Sequence, residues 1–162
     1  MKRNNRQSGI TMVEILIVTG IIVLLFTIST ISLLNIRVSS STSASTNVLI
    51  SDIKAQQIKA LAGDTEGRGV PDNYGVKIQS NKYTLFHGIS YSASENTNFD
   101  VPVETGYQLS TTFPDATILF VPKSGEIENF TSGQNSVTLT NTSTGRTKTI
   151  QFNKYGTIIS SN

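Results

Sequence analysis

Glu14 and the Gly9–Ile10 junction are the residues whose types and spacing could do chemistry. Glu14 lies four residues into an apolar stretch that opens at Ile10. An ionised carboxylate within a membrane-embedded helix costs about 2.5–3.5 kcal/mol unless it has a partner. Cleavage between Gly9 and Ile10 would create one, because the new α-amino group would be a cation one helical turn from Glu14. The alternative is a carboxylate that reaches the membrane interface from an uncleaved anchor.

The apolar stretch predicts a membrane-spanning helix. From Ile15 to Ile36 there are 22 residues without a charge. At about 1.5 Å per residue this helix is roughly 33 Å long, which is enough to cross the core of a bilayer. Lys2, Arg3 and Arg6 precede it, so the positive-inside rule predicts a cytoplasmic N-terminus and places the residues after Arg37 outside. A secretory signal peptide fits less well, because its apolar region would be shorter and no A-x-A cleavage pattern follows.

This N-terminal pattern resembles the class III leader of type IV prepilins and pseudopilins. Residues 1–9 are a short basic leader that ends in Gly9, and the apolar segment begins with Ile10 and Thr11 and has Glu14 at its fifth position. The resemblance implies that a membrane prepilin peptidase cleaves after Gly9 and N-methylates Ile10, and that Glu14 is the assembly carboxylate. The sequence departs from the family pattern in two ways: the first mature residue is usually Phe, and many major pilins carry a proline in the helix that is missing here.

The resemblance implies an α+β, pilin-like fold, in which a long N-terminal helix packs against a mostly antiparallel β-sheet head. After the leader peptide, residues 10–36 are expected to form the transmembrane and assembly helix, residues 37–62 its continuation into the head, and residues 63–162 the β-rich head. Between Val38 and Thr46, seven of nine residues are Ser or Thr, a composition that by itself is typical of a flexible linker. The resemblance instead implies that the helix continues through this stretch.

Apolar periodicity predicts that Asn47–Ala62 packs on the sheet, with Gly63 as the helix stop. The predicted buried face contains Leu49, Ile50, Ile53, Ala60 and Leu61, and the residues mostly off this face are Asp52, Gln56 and Lys59.

After Gly63 the pattern changes to alternation typical of strands. Residues 87–106 are predicted to be a long polar connection. Short connections between the later strands favour antiparallel pairing. The predicted strands are Tyr74–Gln79 and Lys82–Phe86, which form a hairpin, then Tyr107–Thr112, Thr117–Val121, Ser136–Asn141, Thr147–Phe152 and Thr157–Ile159.

The head resembles the GspH/FimT-type minor pseudopilins and minor pilins. The supporting residues are the runs 73–76 (Asn-Tyr-Gly-Val), 120–125 (Phe-Val-Pro-Lys-Ser-Gly) and 149–158. The resemblance implies a structural subunit of a type II secretion pseudopilus or a type IV pilus. Its implied partners are the prepilin peptidase, other pilins or pseudopilins and the inner-membrane assembly platform. The implied location is the cytoplasmic membrane, with the head outside, and then the filament; type II secretion, type IV pilus and competence remain open.

The composition argues against an enzyme. The chain has no Cys, which excludes a thiol nucleophile, a disulfide and a Cys-ligated metal. The single His87 has no accompanying acid and nucleophile pattern, so a turn histidine is expected. Asp64, Glu66, Asp72 and Asn73 offer oxygen ligands, but their spacing is not that of an EF-hand. We therefore predict no catalytic residue, no metal and no cofactor.

The charge distribution gives weak support for nucleic-acid binding. Three of the thirteen Lys and Arg residues lie in the leader, and the other ten face eleven Asp and Glu. The one candidate cluster is Arg146, Lys148 and Lys154, around a predicted strand; Arg146 and Lys148 would project from one face and could contact two or three phosphates. The alternative function is thus a FimT-like minor pilin that binds DNA for uptake. We expect instead a solvated sheet edge and no nucleic-acid partner.

Overall fold

The structure, a computed structural model, describes residues 9–161, without the side chains of residues 30–41. Its first element is the helix α1, which runs from Met12 to Ala62. The chain divides into two units, Met1–Ser40 and Ser41–Asn162. The first unit contains Met12–Ser29, a helical segment that is long and apolar enough to cross a membrane and in which no residue is buried within the protein.

Eight strands follow α1 among the described residues and form two antiparallel four-stranded sheets. The first sheet has the order β3-β2-β1-β5 and the second has the order β4-β6-β7-β8. The prediction of an α+β chain with antiparallel pairing is confirmed, although the head contains two sheets. The strands are β1 Tyr74–Ile78, β2 Lys82–His87, β3 Phe99–Pro102, β4 Tyr107–Thr111, β5 Thr117–Phe120, β6 Ser136–Asn141, β7 Thr147–Phe152 and β8 Ile158–Ser161.

Strand β3 lies in residues 87–106, where the sequence predicted only a polar connection. The prediction was wrong because this strand is defined by its pairing with β2 more than by its own four residues. Asp100 lies opposite Thr84, and its carboxylate accepts hydrogen bonds from Thr84 Oγ1 at 2.5 Å and Lys82 Nζ at 2.6 Å. These cross-strand hydrogen bonds stabilise β3 in the sheet, whereas the other strands are stabilised by alternating buried apolar side chains.

One hydrophobic core brings α1 together with both sheets. Two predictions about the helix were wrong: Gln56 is only 4% exposed, whereas Leu61 is 54% exposed. Gln56 lies three residues after Ile53 and four before Ala60, so it shares their stripe whatever its polarity. The largest fully buried side chains of the core include Ile53, Tyr74, Val76, Ile118, Phe120, Val137, Ile150 and Phe152.

The helix ends as predicted, because Gly63 adopts the left-handed conformation with φ of 64°. Gly63 N donates to Ala60 O at 2.9 Å, and Asp64 N donates to Lys59 O at 3.0 Å. These two bonds form a Schellman motif, which satisfies carbonyls at the helix end and turns the chain toward the first sheet.

Candidate functional site

Gly9 and Ile10 lie in an exposed segment before α1. Neither belongs to a helix or a strand, and the side chain of Ile10 is 74% exposed. A Cβ placed on Gly9 would meet no atom within 4 Å. The junction between them is therefore accessible, as cleavage of a peptide bond requires. The predicted basic leader residues Lys2, Arg3 and Arg6 lie outside the described residues.

Glu14 lies in the first turn of α1, and Thr11 caps this turn. Glu14 N donates to Thr11 Oγ1 at 3.3 Å, and Ile15 N donates to Thr11 O at 3.2 Å. Thr11 is thus the N-cap and Glu14 the third helical residue, the spacing of a capping box. The exposed carboxylate lies where the helix dipole favours negative charge. The sequence analysis missed the role of Thr11, although its Thr-x-x-Glu pattern was readable.

The surface of Met12–Ser29 suits contact with other helices. Thr19 Oγ1 donates to Ile15 O at 2.5 Å, and Thr27 Oγ1 donates to Val23 O at 2.8 Å. These hydroxyl groups are satisfied inside the helix and do not require water. Gly20 lines a shallow depression on the helix surface. Small residues at such a position let a second helix approach closely.

In the second unit, one exposed face of α1 carries no charge. Its members recur every three or four residues and consist of small or apolar side chains. An uncharged exposed stripe of this length suits packing against another subunit. The stripe consists of Ala44, Val48, Ser51, Ala55 and Ile58.

The turns after β5 and after β7, which carried the resemblance of the head, both bind α1 through Gln57. Gln57 Nε2 donates to Gly125 O at 2.9 Å and to Tyr155 O at 2.7 Å. Lys54 Nζ donates to Gln57 Oε1 at 3.1 Å and to Gly156 O at 2.7 Å. Burial lowers the pKa of Lys54. These motifs therefore attach the helix to the sheets.

The structure does not gather Arg146, Lys148 and Lys154 into one basic surface. Arg146 precedes β7 and Lys154 follows it, and a strand of six residues is about 20 Å long. Lys148 lies opposite the buried Leu139 and therefore belongs to the core-facing side of β7. Lys154 Nζ pairs with Glu126 Oε2 at 3.0 Å, which raises the pKa of Lys154.

Glu66 and Asp72, which follow α1, pair with basic side chains, and Asp72 also contacts His87. Glu66 accepts hydrogen bonds from Lys59 at 2.7 Å and Arg68 at 3.1 Å, and the bond from Lys59 is the main cause of its lowered pKa. Asp72 lies 3.7 Å from Arg68 Nε and 3.2 Å from His87 Nδ1. Across the described part of the chain, no group of three or more His, Asp or Glu side chains could hold a metal.

Comparisons with protein-family models, with curated proteins and with solved structures find no match to this chain. Two regions of the chain itself bear on its function. They are the N-terminal segment, with its accessible junction and its carboxylate, and the uncharged faces of α1.

Proposed function

We propose that this chain is a minor pilin or pseudopilin, a structural subunit of a type II secretion pseudopilus or a type IV pilus. A prepilin peptidase removes residues 1–9 and methylates the amine of Ile10. The observation that carries the proposal is the exposed Gly9–Ile10 junction directly before a membrane-length helix, in which Glu14 is the only charge between Met12 and Ser29.

Glu14 sets the axial position of each subunit. Cleavage creates an amine at Ile10, one helical turn from the carboxylate. In an apolar bundle an unpaired carboxylate is costly, so Glu14 favours arrangements in which it meets this amine in its own or a neighbouring subunit. The depression at Gly20 and the uncharged stripe from Ala44 to Ile58 support helix packing as the source of cohesion.

Before assembly, the protein crosses the cytoplasmic membrane once. The basic leader keeps the N-terminus in the cytoplasm and the head outside. Its partners are the prepilin peptidase, other pilins or pseudopilins and the inner-membrane assembly platform. The protein has no catalytic role in this proposal.

Processing is tested by co-expression with a prepilin peptidase. Mass spectrometry should find a mature chain that begins at N-methylated Ile10. Gly9→Val should block cleavage because it places a branched side chain directly beside the peptide bond to be cut, while Gly20→Val is the matched control and should be cleaved. An intact Met1 terminus in wild-type protein from peptidase-containing membranes would refute the proposal.

The pairing role of Glu14 is separable from its place in the capping box. Glu14→Gln keeps a residue that suits the third position of a capping box but removes the charge. It should insert and be processed normally yet show greatly reduced cross-linking to neighbouring pilins. Thr11→Ser keeps the cap and serves as the control. Wild-type cross-linking by Glu14→Gln would show that the carboxylate's charge is not needed for assembly.

A further inference from the structure

Thr11 caps α1 immediately beside the proposed cleavage junction. Its Oγ1 accepts a hydrogen bond from the N–H of Glu14 at 3.3 Å, which is the side-chain bond of an N-cap residue. Helical residues start at Met12, and neither Gly9 nor Ile10 belongs to a helix or a strand. The peptide bond between Gly9 and Ile10 therefore lies one residue outside the cap.

The sequence on both sides of Thr11 favours the same helix start. Glu14 stands at the third helical position, which completes a capping box. Ile10 precedes the N-cap and Ile15 follows the box, and these are the two positions at which apolar residues form a hydrophobic staple. The N-cap, the capping box and the staple pattern all place the first turn of α1 after Thr11.

A helix that began earlier would enclose the junction. Hydrolysis adds water across the amide, which leaves a carboxylate on Gly9 and an amine on Ile10, so the peptidase has to reach the Gly9 carbonyl. Ser8, which lies outside the described residues, and Gly9 are both of types that favour the N-cap position. Without a cap at Thr11 the helix can start at either of them. In both cases the Gly9 carbonyl accepts a hydrogen bond within the helix and is closed to the peptidase.

We propose that Thr11 is a positioning residue for processing, because its cap starts the helix after the scissile bond and leaves the Gly9 carbonyl accessible. The inference rests on the proposed cleavage of this chain after Gly9 and supplies a cause for the accessibility of the junction. The cap acts on the conformation of the substrate before the peptidase binds. Loss of the cap lowers the fraction of chains in the cleavable conformation, which raises KM and leaves kcat unchanged.

Cleavage kinetics of the unprocessed full chain test the proposal, with the chain in detergent and purified prepilin peptidase added. Thr11→Asn and Thr11→Ser keep residues that favour the N-cap position, whereas Thr11→Gln and Thr11→Val do not. Asn and Gln are both neutral amides, and Val has the shape of Thr, so these variants separate capping from polarity and from size.

The Asn and Ser variants should be cleaved with the kinetics of the wild type. The Gln and Val variants should show a KM about fivefold higher, which is the change in population that the loss of a typical N-cap produces. Thr19→Val is the matched control, because Thr19 Oγ1 donates to Ile15 O inside the helix and caps nothing. It should be cleaved as the wild type is.

NMR locates the helix start in the same variants. Labelling glycine carbonyls with 13C and isoleucine nitrogens with 15N selects the Gly–Ile pairs, of which the sequence contains three, at 9–10, 20–21 and 88–89. The carbonyl shift of Gly9 should move toward the helical value in Thr11→Gln and Thr11→Val but not in Thr11→Asn. Gly20 lies within α1 and serves as the helical reference. An unchanged Gly9 shift in all variants would overturn the proposal.

The kinetics distinguish failure of this inference from failure of the proposed function. If the wild-type chain is not cleaved after Gly9, the proposed function is wrong and this inference is wrong with it. If the wild type is cleaved and Thr11→Gln and Thr11→Val keep its KM, only the role of Thr11 is refuted. Slow cleavage of Thr11→Asn beside normal cleavage of Thr11→Ser would mean that the peptidase recognises the hydroxyl itself, which would also refute this role.

Discussion

Gln57→Ala should destabilise the head, because one amide joins α1 to two turns. The substitution removes the bonds to Gly125 O and Tyr155 O and the bond from Lys54. A net contribution of about 0.5–1.5 kcal/mol per hydrogen bond gives a total of roughly 1.5–4.5 kcal/mol for the three bonds. Lys54 retains Gly156 O, and water reaches the half-buried Gln57, so we expect about 2 kcal/mol. For a unit of this size this loss corresponds to a Tm decrease of roughly 6–10 °C.

Near-ultraviolet circular dichroism of tyrosine is a suitable assay for this loss. The chain has no Trp, and its five Tyr residues all lie between Tyr74 and Tyr155, so the signal reports the head alone. Gln57→Glu should cost at least as much, because a carboxylate cannot donate to either carbonyl. Gln108→Ala, at an exposed position of β4, is the control and should change stability by less than about 0.5 kcal/mol. A loss for Gln57→Ala within this control range would refute the reasoning.

Three further predictions concern packing, ionisation and charge. Gly75→Ala should cost about 1–3 kcal/mol in urea unfolding, because its Cβ would overlap the ring of Phe86; an unchanged midpoint would show that the ring moves aside freely. Burial, and then the 2.5 Å hydrogen bond to Asp52, raise the pKa of Tyr83 above its ordinary value of about 10. Alkaline titration of the folded head should therefore leave Tyr83 un-ionised at pH 10, and stability should be constant with respect to this group below about pH 10 and fall above it; ionisation of Tyr83 near pH 10 in the folded protein would contradict this. Residues 38–162 contain nine Lys and Arg against ten Asp and Glu, so the full chain should not bind duplex DNA appreciably near physiological salt; micromolar affinity in an anisotropy titration would count against this expectation.

Alternation in the sequence was enough to place seven of the eight strands, but it did not reveal how they pair. Each alternating run indicates which face is buried and carries no information about its neighbour. The pairing of β1 with β5 joins segments about forty residues apart in the first sheet. The pairing of β4 with β6 places these two strands in the second sheet. Gln56 shows a similar limit in the helix. Its polar side chain led to the prediction of an exposed position, but its spacing from Ile53 and Ala60 places it on the buried face.

The candidate assembly site was readable because its parts are adjacent in sequence. Gly9, Ile10 and Glu14 lie within six residues, and Thr11 belongs to the same short pattern. The Gln57 contacts could not be predicted, because they combine a side chain and carbonyls from distant segments. The turn motifs indicated where the chain reverses direction. Only the structure shows that the carbonyl groups of these turns accept hydrogen bonds from Gln57 of α1.

The contacts of Lys54 and Gln57 can form only late in biosynthesis. Their carbonyl partners at Gly125, Tyr155 and Gly156 are translated 68, 98 and 102 residues later. At a translation rate of about 5–20 residues per second, roughly 5–20 s pass between the synthesis of α1 and that of the turn after β7. During that interval the side chains of Lys54 and Gln57 have no partners in these turns. A chain truncated before the turn after β7 cannot form the bonds to Tyr155 O and Gly156 O, so its helix is held to the head by fewer contacts.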